Sequence, residues 1–203
     1  MTRNKYDIIN RIIKKYNYQN YLEIGVRHPG GNFNLINIDH KDGVDPVPLG
    51  PEINYPVSSD DFFDFIKGHD EIKYDIIFID GLHLHHQVSK DIQNSLNHLE
   101  ENGTIIIHDC NPITKDRQVE EYVIGKPWNG TTWKGWVEYR CKRDDLEMFV
   151  IDADEGCGII RKGNQNIWKK DKYNNCIKYS YLDENRNELL NLISFEEFLK
   201  WVE

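Results

Sequence analysis

Blocks of apolar residues, separated by polar turns, divide the chain into alternating helices and strands. The first block has apolar side chains at helical spacing: Ile9, Ile12, Ile13 and Tyr16. They predict an N-terminal helix within residues 1–18. YLEIG (21–25) is a short apolar run that stops at glycine, as a buried strand does. The following VRHPGGN contains a proline and two adjacent glycines, which predicts a loop whose backbone can come close to a ligand.

A strand–helix–strand unit is the clearest pattern in the chain. YDIIFID (74–80) and GTIIIHD (103–109) are apolar up to their last polar residues, which is typical of parallel strands covered on both faces. Residues 86–99 between them place apolar side chains on one helical face. With YLEIG upstream, the repeat predicts an α/β fold with a Rossmann-like, doubly wound sheet.

The stretch between these units is less regular. FNLINI could form a short helix or a strand, and DGVDP (42–46) is compatible with a short strand that ends at Asp45. The prolines that follow predict extended, irregular chain. DDFFDFIKGH (60–69) predicts a helix that Ser59 or Asp60 caps.

Residues 111–145 do not continue the alternation of strand and helix patterns. Within them, PWNGTTWKGW (127–136) is rich in tryptophan and glycine. This segment could be a lid that stacks on a ligand, or a peripheral helix whose tryptophans pack on the sheet. Residues 146–163 predict an antiparallel hairpin, LEMFVID followed by GCGIIRKG. Residues 164–203 form a C-terminal extension that ends in SFEEFLKWVE, a helix opened by an S-x-x-E capping box.

Composition narrows the class of protein. The chain has 203 residues, 39% apolar and 29% charged, which suits one globular domain over residues 1–203 with a sizeable core. No apolar run approaches the roughly 20 residues of a membrane helix, and the first residues lack the pattern of a signal peptide. We therefore expect a cytoplasmic protein with no membrane partner.

Charge and cysteine spacing exclude further classes. The net charge is −9 and no cluster of Lys and Arg offsets it, which disfavours nucleic acid as a partner. The cysteines are widely spaced and form no CxxC pair: Cys110, Cys141, Cys157 and Cys176. This spacing argues against a zinc ribbon or a disulfide framework and predicts reduced thiols.

Acidic residues and a glycine mark the predicted strand ends, at the edge where open parallel sheets bind ligands. The residues at these positions are Glu23, Gly25, Asp45, Asp80 and Asp109. Like charges gathered on one rim are unfavourable unless something binds them. Asp45 comes 20 residues after Gly25, a spacing suited to hydrogen bonds with the hydroxyls of a ribose. Asp39 has a similar spacing, and Asp45 is preferred.

Taken in order, the segments YLEIGV, DGVDP, YDIIFIDGLHLHHQV, NGTIIIHDCNP and W-N-G-x-x-W-K resemble class I S-adenosylmethionine (SAM)-dependent methyltransferases. The resemblance is strongest to a small bacterial group found near sugar and capsule biosynthesis, and it covers about residues 20–163. It implies SAM as cofactor and a seven-stranded, mostly parallel sheet whose antiparallel strands come from the hairpin at 146–163. It also implies a small hydroxylated acceptor, such as a sugar or nucleotide sugar.

The resemblance implies cofactor contacts for particular residues. Glu23 and Gly25 would line the methionine part of SAM, and Asp45 would bind its ribose. Ser59 and Asp60, which follow a third strand in this family, would lie beside the adenine. The G-x-G motif usual after the first strand of the superfamily is absent here, because Val26 and Arg27 follow Gly25.

The same resemblance places Asp80, His83 and Asp109 at the methyl group and the acceptor. Our hypothesis is that Asp80 positions the amino end of SAM and that His83, with Asp109 beside it, removes the acceptor proton. His85 and His86 fall in the first turn of the next helix and are interpreted as lying outside the site.

Two metal sites are alternatives. Related O-methyltransferases hold magnesium with an aspartate after strand four and an Asp-Asp or Asp-Asn pair after strand five. Here Cys110 follows Asp109, so magnesium on Asp80 and Asp109 stays an open alternative. A transition metal could instead use Asp80, His83 and His85, with His108 or Asp109 as a further ligand. Strand alternation, however, predicts that His108 points to the opposite face from Asp109.

Other functions compete with methyl transfer. A catalytically silent SAM-binding partner module would bind the cofactor without turnover. A metal-dependent or a nicotinamide-dependent Rossmann enzyme is a further alternative, although the chain lacks the glycine motif that cradles a pyrophosphate. The chain could also form a homo-oligomer.

Overall fold

The computed structural model describes residues 3–169 and 171–203, and the strands and helices of this part alternate through its first half. The strands are β1 (Asn20–Ile24), β2 (His40–Val44), β3 (Tyr74–Ile79), β4 (Leu99–Ile107), β5 (Leu146–Ile151), β6 (Cys157–Lys162) and β7 (Leu192–Ile193). The helices are α1 (Lys5–Tyr16), α2 (Ser59–Phe65), α3 (His85–Asn97), α4 (Thr132–Lys142), α5 (Tyr173–Cys176), α6 (Tyr179–Leu190) and α7 (Phe195–Val202). Short 3₁₀ turns lie at Pro29–Gly31, Phe33–Leu35 and Lys115–Arg117.

The strands form one sheet in the order β2-β1-β3-β4-β6-β5-β7. Strands β2, β1, β3 and β4 are parallel, β6 runs antiparallel to β4 and to β5, and β7 is parallel to β5. The predicted fold class, a seven-stranded, mostly parallel, Rossmann-like sheet with an antiparallel hairpin, is therefore confirmed.

Helices cover both faces of the sheet, and this is why its strands are apolar throughout. Alternate residues of β3 contribute to opposite cores: Ile77 and Ile79 pack with residues of α2, α3 and α4, and Ile76 and Phe78 pack with α1 and α7. The side-chain period of two thus divides one apolar strand between two cores. No helix among the described residues has both the length and the apolar character needed to cross a bilayer.

Two expectations for residues 33–69 need correction, and the alternative left open for FNLINI is decided. The third strand implied by the resemblance is reduced to one parallel bridge between Val44 and Tyr55, and the sheet reaches seven strands through β7 instead. FNLINI forms a 3₁₀ turn over its first three residues. The helix expected at 60–69 begins at Ser59 and is capped by Ser58, whose Oγ accepts a hydrogen bond from the Asp61 backbone N–H at 3.1 Å.

The hydrogen-bond ladder continues one residue beyond the parallel strands. The backbone N–H of Asp80 donates to Ile24 O at 2.8 Å, and that of His108 donates to Ile79 O at 3.0 Å. Gly25 similarly donates to Val44 O at 2.8 Å. These bonds hold the residues after β1, β3 and β4 side by side. They lie near the point where the chain connections leave β1 in opposite directions, to β2 on one side and to β3 on the other.

Candidate active site

A cavity of about 480 Å³ opens at the carboxyl ends of β1, β2 and β3. Its lining includes five of the residues singled out from the sequence: Gly25, Asp45, Ser59, Asp60 and Asp80. Apolar side chains and the polar residues Arg27, Ser58 and Gln87 also line it, so the cavity combines apolar surface with polar groups. Asp39 lies instead at the opposite end of β2, where it lines a separate surface depression.

Asp45 is buried at the edge of this cavity, and backbone amides hold its carboxylate in place. Oδ2 accepts a hydrogen bond from the Arg27 N–H at 2.9 Å, and Oδ1 accepts one from the Val47 N–H at 2.7 Å. A carboxylate has about four acceptor sites, so each oxygen keeps the capacity to accept from a ligand hydroxyl. The loop therefore presents an oriented, negatively charged acceptor to the cavity.

A polar network forms the other end of the cavity. The Gln87 side-chain amide donates to Ser59 Oγ at 3.1 Å, to Asp60 Oδ1 at 2.9 Å and to Asp91 Oδ1 at 3.1 Å. Burial raises the pKa of the Asp91 carboxyl to about 6. These contacts tie α2 to α3 and fix the polar groups that line this end.

Glu23 lies outside the cavity lining. Its carboxylate is buried on the same face as Tyr21 and accepts hydrogen bonds from the Tyr21 hydroxyl and from Asn32 Nδ2, the latter at 2.8 Å. Burial raises the pKa of Glu23 to about 7 despite these bonds. The contact with the methionine part of SAM that the resemblance implied for Glu23 therefore has no support in its position.

Next to the cavity, Asp80, His83 and Asp109 come together in one cluster. His83 Nε2 lies 3.1 Å from Asp80 Oδ1, and His83 Nδ1 lies 3.1 Å from Asp109 Oδ2. Asp80 belongs to both the cavity and the cluster, so it marks the boundary between them. The three residues follow β3 and β4, whose carboxyl ends the parallel sheet places side by side.

His108 joins this cluster, contrary to the expectation from strand alternation. Its Nδ1 lies 3.2 Å from both Asp80 Oδ1 and Asp109 Oδ2. The expectation was wrong because β4 ends at Ile107 and Asp109 has φ +62°, in the left-handed region. The regular alternation of a strand stops there, and both side chains turn toward the same place.

Two residues distant in sequence complete the cluster, and no local pattern predicted either. Lys5 Nζ lies 2.6 Å from Asp80 Oδ2, and Asp154 Oδ1 lies 3.7 Å from His108 Nε2. Asp154 belongs to the β5–β6 turn, where it has φ +46°. An acidic residue in a tight hairpin turn was the only sequence signal available for Asp154, and Lys5 offered none.

The tryptophan-rich segment closes over the cluster. Asn129 Nδ2 donates to Asp109 Oδ1 at 2.6 Å, and the Thr131 backbone N–H donates to His83 O at 2.7 Å. The Trp128 ring stacks on the His83 ring, with centroids 4.9 Å apart and planes 12° apart. Gly130 between them has φ +60°, and a Cβ there would lie 2.2 Å from His83 O, so only glycine suits this contact.

The two interpretations of the tryptophans apply to different residues. Trp133 and Trp136 belong to α4 and are completely buried in the core against the sheet. Trp128 precedes the helix and covers His83. The contact of Asn129 with Asp109 was not predicted from the sequence, since an asparagine beside glycine is typical of a turn.

Charge balance sets the protonation of the cluster. Burial lowers the pKa of His83, but the hydrogen bond and charge of Asp80, together with the charge of Asp109, raise it above its ordinary value. Asp80 also raises the pKa of His108 well above its ordinary value against the effect of burial. Burial would raise the pKa of Asp80, yet His108, His83 and Lys5 hold it well below the usual range. These contacts therefore favour the imidazolium form of both histidines and the carboxylate form of Asp80.

His85 and His86 stay outside the cluster. His85 begins α3 and its Nε2 lies 3.0 Å from Glu138 Oε2 and 3.0 Å from the Tyr173 hydroxyl. It thus links α3 to α4 and α5. His85 is accordingly excluded from the transition-metal alternative.

The cluster contains ligand types for a cation but does not match a magnesium site. Ligand atoms of Asp80, His83 and Asp109 all lie within 4.8 Å of one another. Magnesium prefers an octahedron of oxygens, whereas two imidazoles contact these carboxylates. Cys110 offers no ligand either, because its buried thiol lies 3.5 Å from Ile107 O and burial raises its pKa well above the ordinary value. We therefore derive no step through magnesium.

Comparison with known proteins agrees with this geometry. The family described as a methyltransferase domain matches residues 21–110, a range that contains Asp45, Asp80 and Asp109. No curated protein sequence matches the chain.

Solved structures share the fold at low sequence identity. TomG, an O-methyltransferase from Streptomyces achromogenes in complex with SAM, is 10% identical with a TM-score of 0.55, over 77% of this chain and 79% of that chain. PaMTH1, a methyltransferase from Podospora anserina bound to S-adenosylhomocysteine (SAH), is 12% identical with a TM-score of 0.50, over 77% and 76%. MycE, a methyltransferase in complex with Mg, SAH and mycinamycin VI, is 15% identical with a TM-score of 0.51, over 86% and 53%. The fold is that of SAM-dependent methyltransferases, and with the domain match it supports that class of enzyme.

Proposed function

We propose that this protein transfers a methyl group from SAM to a hydroxyl oxygen of a small acceptor, with a sugar or nucleotide sugar as the acceptor class. The observation that carries the proposal is the position of Asp80. It lines the cavity at the end of β1 and also contacts the His83–Asp109 cluster. A cofactor bound in the cavity would thus present its reactive end to the cluster.

The cavity suits SAM on chemical grounds. Its volume lies in the range of small-molecule sites, and it contains an oriented carboxylate, Asp45, for the ribose hydroxyls. Ser59 and Asp60 lie at the other end, where they would flank the adenine. The Gly25 backbone and Asp80 would bind the methionine end, and SAM bound there supplies an electrophilic methyl group.

The acceptor would lie next to the cluster, beside Trp128, His83 and Asp109. An aromatic ring next to charged hydrogen-bonding groups is suited to a sugar, which offers both an apolar face and hydroxyls. Methyl transfer needs the acceptor oxygen, the methyl carbon and the sulfur in line, so rigid positioning by the cluster contributes directly to rate.

The acceptor proton would pass to the His83–Asp109 pair. The charge and hydrogen bond of Asp80 raise the pKa of His83 and so favour its imidazolium, which must lose a proton before the ring can act as a base. Because the neutral imidazole is the base, the rate of methyl transfer should rise as pH increases above 6.5, the ordinary pKa of histidine. A rate that falls over that range would exclude His83 as the base.

Calorimetric titration with SAH tests the cofactor assignment. We expect micromolar binding by the wild type and a loss of about tenfold to a hundredfold in Asp45→Ala, since a charged hydrogen bond contributes roughly 1.5–3 kcal/mol. Asp39→Ala is the matched control, because this aspartate lies away from the cavity and should leave affinity unchanged. NAD titrated in parallel should not bind. Tight NAD binding without SAH binding would replace the proposal with the nicotinamide alternative.

Turnover separates an enzyme from a silent binding module. Sugars and nucleotide sugars would be screened for SAH release from SAM, with His83→Ala and Asp109→Asn as variants. The proposal expects an acceptor that wild type methylates and that both variants methylate at least about a hundredfold more slowly. SAH binding without any turnover across hydroxylated acceptors would favour the silent module.

A further inference from the structure

A lysine from the first helix penetrates the carboxylate cluster. Lys5 precedes Asp80 by 75 positions, yet its Nζ lies 2.6 Å from Asp80 Oδ2. The two side chains are only 23% and 13% exposed. The ammonium also lies 5.7 Å from the centre of the Phe78 ring, in a cation–π arrangement. Although burial lowers it, the charge of Asp80 raises the pKa of Lys5, so the group is a cation at neutral pH.

The start of α1 is fixed at this place by a second contact. The backbone N–H of Lys5 donates to Asp154 Oδ2 at 2.5 Å. The first N–H groups of a helix lack partners within the helix, and Asn4, the N-cap residue, makes no capping bond with its side chain. Asp154 therefore supplies the acceptor, and the helix enters the cluster with Lys5 pointing at Asp80.

Protein groups already occupy the positions on Asp80 and Asp109 that a metal ion would need. One oxygen of Asp80 faces the two imidazoles, and its other oxygen accepts from Lys5. One oxygen of Asp109 faces the same imidazoles, and its other oxygen accepts from Asn129. The outer oxygens of both carboxyl groups thus accept hydrogen bonds from the protein, and the inner oxygens lie within 3.2 Å of imidazole nitrogens. A divalent ion that binds through the outer oxygens could do so only by displacing Lys5 or Asn129.

Charge leads to the same conclusion. Three carboxyl groups, of Asp80, Asp109 and Asp154, face three basic side chains, of Lys5, His83 and His108. A balanced cluster attracts a further double positive charge far less than an acidic one does. Lys5 contributes the closest of these ion pairs on Asp80.

We propose that Lys5 is the resident cation of this cluster, whose ammonium takes the place of a divalent ion on Asp80. The positive field beside the acceptor hydroxyl would then come from the protein itself. Lys5 acts through Asp80 and is a positioning residue. The catalytic meaning of this inference rests on the proposed function, whereas its test requires only a metal ion.

Titration with Mn²⁺ measures whether Lys5 excludes a cation. Wild type should show no binding below millimolar Mn²⁺, and Lys5→Met should bind at least about tenfold more tightly, because a charge next to the carboxylate is removed. Lys14→Met is the matched control, since Lys14 is an exposed lysine of the same helix, and it should behave as wild type. The double variant Lys5→Met/Asp80→Asn should lose the gain.

The outcomes are decisive. If Lys5→Met binds Mn²⁺ no more tightly than wild type, or if wild type itself binds at micromolar concentration, the inference is wrong. A gain that persists in the double variant would place the Mn²⁺ site elsewhere and also overturn it. Lys5→Gln, which removes the charge but can still donate to Asp80, replaces the methionine variant if that one does not fold, with the same gain expected. Failure of wild type to bind SAH would remove the proposed function and leave this comparison intact.

Discussion

The carboxyl group of Glu23 lies inside the protein, where one hydroxyl and one amide contact it. Its exposure is 2%, and burial raises its pKa to about 7 from an ordinary 4.5. Desolvation therefore outweighs the two hydrogen bonds from Tyr21 and Asn32. In contrast, Asp80 is almost as buried but faces three cations, and its pKa moves in the opposite direction. The partners of a carboxyl group thus decide its chemistry as much as burial does.

At the residue scale, this difference predicts a pH-dependent stability. Between pH 4.5 and pH 7 the folded protein retains a proton on Glu23 that the unfolded chain has lost, so stability falls as pH rises through this window. Glu23→Gln lacks this titration. From pH 4 to pH 8, its stability relative to wild type should improve by roughly 3 kcal/mol. Urea unfolding at both pH values measures the change, and a constant difference would show that Glu23 titrates normally.

The turn after β1 decides how closely two elements approach. Gly25 has φ +94°, and a Cβ there would lie 2.3 Å from the carbonyl oxygen of Asp80. The chain after β3 therefore passes directly over a residue without a side chain. The adjacent glycines of the same loop differ, since a Cβ at Gly30 or Gly31 would meet nothing within 4 Å. The close contact of Gly25 is with the backbone after β3, and the approach to a ligand expected of VRHPGGN stays a prediction.

At the element scale, alanine substitutions at Gly25 and Gly31 test whether the close contact with Asp80 requires glycine. Gly25→Ala should destabilise the protein by several kcal/mol, about 3 or more, and abolish SAH binding, because positive φ and a backbone clash combine. Gly31→Ala should stay within about 0.5 kcal/mol of wild type and keep its SAH affinity. Thermal unfolding and SAH titration of both variants provide the measurement. Equal effects of the two substitutions would mean that the contact between Gly25 and Asp80 does not require glycine at position 25.

The C-terminal residues pack into the rest of the molecule on both faces of the sheet. Leu182 and Leu189 of α6 belong to one core, and Phe195 and Phe198 of α7 belong to the other. Strand β7 pairs with β5 at the edge of the sheet, where the Asp152 N–H donates to Ile193 O at 2.9 Å. These contacts suggest that the extension at 164–203 is needed for the fold.

At the scale of the whole molecule, truncation tests this idea. Ending the chain after Gly163 should abolish cooperative unfolding, because losing Phe198 alone should cost about 3–5 kcal/mol of a typical total near 5–15. Ser194→Ala, which removes the bonds of the Ser194 hydroxyl to the N–H and the carboxylate of Glu197, should cost about 1 kcal/mol and serves as the mild control. Circular dichroism during heating distinguishes the cases. A truncated chain that melts cooperatively would mark residues 164–203 as a separate unit.

Local sequence pattern was sufficient to predict β1, β3 and β4 and the edge of the sheet that forms the cavity, but not β7. Apolar runs such as YDIIFID and GTIIIHD are properties of neighbouring residues, and parallel topology then places Asp45, Asp80 and Asp109 at one edge. The capping box of α7 was equally visible, because its two bonds join residues three apart. These parts of the protein depend on interactions between residues close in sequence.

Only the tertiary structure decided which groups balance these aspartates. Lys5 and Asp154 are 149 positions apart in the sequence, and neither belongs to a pattern that points toward Asp80. His108 lies in the cluster because the backbone of Asp109 does not have the conformation of a strand. The residues that follow Asp109 form hydrogen bonds with the β5–β6 turn. Charge pairing in a buried site depends on distance in space, and the order of residues along the chain does not encode that distance locally.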